Sequence, residues 1–91
     1  MQKTSRKIPF EIHLTTENLS VTDVPIFKKL CVETEGRHLV IELSRGNEIN
    51  QPMFSKRILL NNAEESISFA KYLAEKFDSN NFSIKRIKIE T

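Results

Sequence analysis

Glu11, His13 and Thr15 stand two apart within the stretch from Ile8 to Thr16, IPFEIHLTT. Two residues is the repeat of a β-strand, so an acid, an imidazole and a hydroxyl share one face. An imidazole beside a hydroxyl can move a proton, or hold an anion, near neutral pH. The other parity, Ile8, Phe10, Ile12 and Leu14, is apolar and seeks a core. Competing chemistry is sparse. His38 is the second histidine and Cys31 the single cysteine. These form no recognisable zinc or iron site, so no metal and no cofactor is expected. Cys31 reads as a small buried apolar residue. Two glycines, Gly36 and Gly46, are too few for a phosphate-cradling loop.

The elements that position these residues follow from composition and periodicity. The chain has 91 residues, 38% hydrophobic and 29% charged, which suits one ordered domain with a modest core. Residues 1–7, with Lys3, Arg6 and Lys7, read as a flexible basic lead-in, and 8–91 as the domain. No apolar run approaches the roughly 20 residues of a membrane span, and no leader-like stretch follows MQKTSRK. With a lone cysteine, this leads us to expect a cytoplasmic protein.

A first helix is expected at about 24–35, capped by Thr22 or Asp23, with Pro25 in its first turn. Phe27, Leu30 and Cys31 form its apolar stripe, and Gly36 suits a left-handed C-cap. RHLVIELS reads as a second strand with Leu39, Ile41 and Leu43 inward and His38, Val40 and Glu42 outward. A connection with Gly46-Asn47 at its tip leads to PMFSKRILL, a third strand. Here Phe54, Ile58 and Leu60 share a parity that Lys56 interrupts, by a bulge or by a stem that reaches water. Asn62 and Glu65 form a capping box for a second helix, whose stripe is Ile67, Ala70, Leu73, Ala74 and Phe77. In the closing strand Ile87 and Ile89 face inward and Arg86, Lys88 and Glu90 outward, with a break near Lys85.

The order strand, helix, strand, strand, helix, strand resembles the ferredoxin-like split β-α-β arrangement. The resemblance implies an α+β two-layer sandwich: a four-stranded antiparallel sheet in the order 4-1-3-2 with two helices on one face. The two helices with their caps hold four basic and seven acidic residues, leaving ten basic and five acidic elsewhere. The sheet side is therefore the positive side.

The uncovered face then brings His13 and Thr15 near Ser55 and Arg57 of the third strand and Arg86 and Lys88 of the fourth. We expect a non-enzymatic binding or interaction module whose basic face takes an anionic small molecule through these six residues. A partner protein, or a second copy of the chain, is the other occupant, on the open face or at the edge formed by the second strand. Two alternatives stand beside this reading. His13-Leu14-Thr15 resembles the H-x-T half-motif of the two-histidine phosphoesterases, which implies His13 and Thr15 as catalytic residues, the second motif coming from a dimer. RNA-recognition domains share the topology, but they stack bases on open-face aromatics, and Phe10 and Phe54 have core parity here.

Overall fold

The structure, a computed structural model, describes residues 6–42 and 48–91, with the backbone alone for 40–42 and 48–51. The first five residues of the lead-in, Leu43 and the Gly46-Asn47 tip lie outside the described residues, as do the side chains of Val40, Ile41 and Glu42. The elements are β1 (Ile8–Thr16), β2 (Leu19–Ser20), a 3-10 turn (Val21–Asp23), α1 (Val24–Glu33), β3 (Arg37–Glu42), β4 (Glu48–Leu60), α2 (Ala63–Ser79) and β5 (Ile84–Glu90).

The fold is α+β, an antiparallel sheet of four long strands with two helices. β1 lies between β4 and β5, and β3 pairs with the far edge of β4. In chain-order numbering the sheet is β3-β4-β1-β5, and not the 4-1-3-2 written for four strands. The numbering differs because there is an unexpected fifth strand: Leu19 and Ser20 leave the connection after β1 to pair with Ile49 and Glu48, continuing β1's side of β4. That pairing buries Leu19 in the core.

One sheet face supplies Ile12, Leu14 and Phe54. Phe27, Leu30 and Cys31 of α1, with Ala70, Leu73 and Phe77 of α2, close over it. Each large apolar side chain buried there stabilises by roughly 1.5 to 3 kcal/mol. On α2 the stripe begins at Ser66 and not at Ile67, which is exposed. The Ser66 hydroxyl donates to the Ala63 carbonyl at 2.6 Å, so it is buried with its hydrogen bond made.

The caps differ from expectation in instructive ways. Ser20 accepts the Thr22 amide and starts the 3-10 turn that runs into α1, whereas Asp23 makes no side-chain cap. At the end of α1 the left-handed residue is Glu35, at φ 59°, and not Gly36. The Gly36 amide donates to Cys31 O and that of Glu35 to Val32 O, the paired closure of a Schellman motif. Gly36 serves a different need: its Cα lies so near β4 that a Cβ would overlap the Phe54 ring. On α2, Asn62 accepts the Glu65 amide as expected, but the Glu65 carboxylate reaches back to the backbone and side chain of Asn61. Those bonds, the backbone one foremost, hold its carboxyl below the usual range.

Lys56 is resolved by its stem. The β1–β4 register runs unbroken through Ile12 opposite Lys56, and the ammonium donates to the Glu35 carbonyl at 2.9 Å, beyond the end of α1. A bulge does occur in β5: Thr15 faces Arg86 and Thr16 faces Ile84, leaving Lys85 as the extra residue.

Cys31 is fully buried, and burial pushes its thiol up to about 12. The folded value is raised above the unfolded one, so this stabilisation is complete below about pH 8.5 and is lost as pH rises from there toward 12. Urea unfolding of the native protein should therefore lose about 1.5 kcal/mol more between pH 8 and pH 10 than unfolding of Cys31→Ala. Equal losses in the two proteins would remove the assignment.

Candidate functional site

Three rows cross the uncovered face, set by strand register. Arg37, Ser55, His13 and Lys88 form the middle row. Leu39, Met53, Thr15 and Arg86 form the row on one side of it, and Arg57, Glu11 and Glu90 the row on the other. The expected parity of the second strand is thus reversed: Leu39 lies on the open face and is 53% exposed, whereas His38 pairs with Phe54 on the helix side. The close approach of Gly36 to Phe54 and to the Ser55 carbonyl accompanies the register that puts Arg37 opposite Ser55. An edge strand carrying apolar residues on both parities does not announce its inner face.

Of the six residues expected at the site, His13, Thr15, Arg86 and Lys88 line one concavity with Met53 and Glu90. Ser55 sits directly across β4 from His13, and its hydroxyl is buried without a hydrogen-bond partner. Arg57 is not part of that concavity; it lines a second one with Glu11 and Glu90 at the other end of the face. Thr15 is only 3% exposed, because its neighbours on both sides cover it.

His13 is held by carboxylates the expected site did not include. Its Nε2 lies 3.1 Å from Glu90 Oε1 and 3.6 Å from Glu11 Oε1, while Nδ1 is buried and unpartnered. Each carboxylate turns its other oxygen to a cation: Glu11 Oε2 to Arg37 at 3.4 Å, and Glu90 Oε2 to Lys88 at 3.2 Å. The hydrogen bond from Lys88, followed by the one from His13, holds the Glu90 carboxyl below the usual range. Glu90 is fully solvated, so this orients more than it stabilises. Arg57 and Arg86 have no carboxylate within 4.0 Å among the described residues.

Glu90 is 77 positions from His13 and reaches it only through the β1–β5 register. The available signal was parity, which puts Glu11 and Glu90 on the same open face as His13. No aromatic side chain lies on that face among the described residues. Among the described residues no helix is long and apolar enough to cross a membrane. Comparisons with protein-family models, curated proteins and solved structures find no match to this chain.

Proposed function

We propose that the protein is a small cytoplasmic binding module of ferredoxin-like arrangement, not an enzyme, which takes an anionic group, phosphate or carboxylate, on its uncovered sheet face. The observation that carries this is Arg86. It stands without an ion-pair partner among the described residues, on a concavity that it shares with His13, Thr15 and Lys88. Arg86 and Lys88 against Glu90 leave this concavity at +1 with a neutral imidazole and +2 with a protonated one. A guanidinium without a carboxylate partner can present two N–H donors to an oxyanion at little cost in broken pairing. Lys88 supplies an ammonium from the same strand, and the buried Thr15 lines the concavity from the adjacent one. Ser55 and Arg57 act as flanking groups, and a second protein molecule presenting a carboxylate or phosphate would meet the same residues.

Calorimetric titration with inorganic phosphate, in the presence of a chelator, tests the reading. Saturable binding weakened about tenfold or more in Arg86→Ala is expected, since a charge-assisted hydrogen bond contributes about 1.5 to 3 kcal/mol. Binding unchanged in Arg86→Ala, or no binding at millimolar phosphate, would reject it.

A further inference from the structure

We infer that Glu11, His13 and Glu90 form a site for a divalent transition-metal ion, zinc by the chemistry of the donors. An imidazole nitrogen and two carboxylate oxygens come from adjacent antiparallel strands, and the three donor atoms lie within 4.8 Å of one another. Zinc binds nitrogen and oxygen at about 2.0 to 2.2 Å, so donors in a tetrahedral shell stand about 3.3 to 3.6 Å apart. The separation of His13 Nε2 from Glu90 Oε1 (3.1 Å) lies just below that range and that from Glu11 Oε1 (3.6 Å) at its upper end. Seating an ion requires side-chain shifts of a few tenths of an ångström about His13, together with closure of the two carboxylates on the ion.

The surrounding groups prepare the three donors. Arg37 and Lys88 take the Oε2 atoms, which leaves both Oε1 atoms converging on one nitrogen. Such outer partners are what orient metal ligands and fix their geometry. The buried Nδ1 leaves Nε2 as the solvent-side nitrogen of His13, and a metal there would hold the ring proton on Nδ1. Two carboxylates cancel the charge of a divalent ion, and the open face leaves the fourth position to water or an exogenous ligand. The donors sit on β1 and β5, not on a loop, so the strand register itself holds their backbones in place.

The alternative is a hydrogen-bonded cluster that takes no ion, and the experiment separates the two. Zinc chloride is titrated into the whole chain in phosphate-free buffer, followed by calorimetry and by the imidazole NMR signals of His13. The inference stands independently of the anion site, which is tested under chelator. It predicts one zinc per chain at micromolar affinity and a shift of the His13 signals. Binding weakens about 10-fold or more in His13→Ala and in Glu90→Gln. His38→Ala binds as the parent does. Thermal unfolding of each variant verifies that it is folded. Zinc binding that persists in folded His13→Ala, or its absence at millimolar zinc, would overturn the inference and leave a hydrogen-bonded cluster.

Discussion

Gly36→Ala lowers the thermal midpoint by roughly 12 to 24 °C. The added methyl would overlap Phe54 Cε1, stand 2.5 Å from Phe54 Cζ and lie 2.8 Å from the Ser55 backbone carbonyl. None of these neighbours can yield cheaply. Phe54 is fully buried against the ring of Phe77, 5.0 Å between centroids, and the Ser55 carbonyl belongs to the central strand β4. Overpacking a core costs about 1 to 3 kcal/mol and sometimes more, and a backbone contact puts this site at about 3 kcal/mol. In a domain of this size each kcal/mol moves the midpoint by about 4 to 8 °C. A scan showing a shift of only a few degrees would mean that the chain passes from α1 into β3 with more room than the structure gives it.

Phe77→Ala removes the residue that joins the two helices to the sheet. Its ring lies 5.9 Å from that of Phe27 on α1 and 5.0 Å from that of Phe54 on β4, and it is fully buried. Phe82, which follows the left-handed Asn81 at the end of α2, packs edge-on to Phe27 at 5.5 Å and cannot swing away without breaking that closure. The cavity would therefore collapse little, and a loss of about 3 to 5 kcal/mol is expected from the urea midpoint. Against a total stability of about 5 to 15 kcal/mol, that approaches unfolding at ambient temperature. A loss below about 1 kcal/mol would show that the aromatic cluster is not the core's junction.

The parts of this fold that were legible in the sequence are those where one parity or stripe differs sharply from the other. β1 alternates cleanly, and Phe27, Leu30 and Cys31, or Leu73, Ala74 and Phe77, repeat at helical spacing. The break at Lys85 read from the closing strand is a real bulge. What stayed illegible has physical causes. β2 is two residues long, shorter than any periodic window. β3 is an edge whose two parities are both partly apolar, so Leu39 could not reveal that it faces outward. Glu35 and Asn81 take left-handed positions that glycine would normally fill, and a neighbouring Gly36 drew the assignment to itself.

The site was legible in the same uneven way. Strand parity alone puts His13, Arg86 and Lys88 on one face, but which groups touch depends on register. The register gives His13 to Glu11 and Glu90, separates Arg57 from Arg86, and sinks Thr15 beneath its neighbours. On the proposed reading an anion would meet Arg86 and Lys88 first, because the imidazole is engaged by its carboxylates. This differs from the imidazole-centred site that strand one alone suggests.

The most direct test of the proposed anion-binding face is a backbone and side-chain NMR titration of the whole chain with inorganic phosphate under chelator. Saturable shifts gathered at Thr15, Arg86 and Lys88, with smaller ones at His13, Ser55 and Arg57, are the predicted result. Shifts confined to α1 and α2, or none at millimolar phosphate, would contradict it.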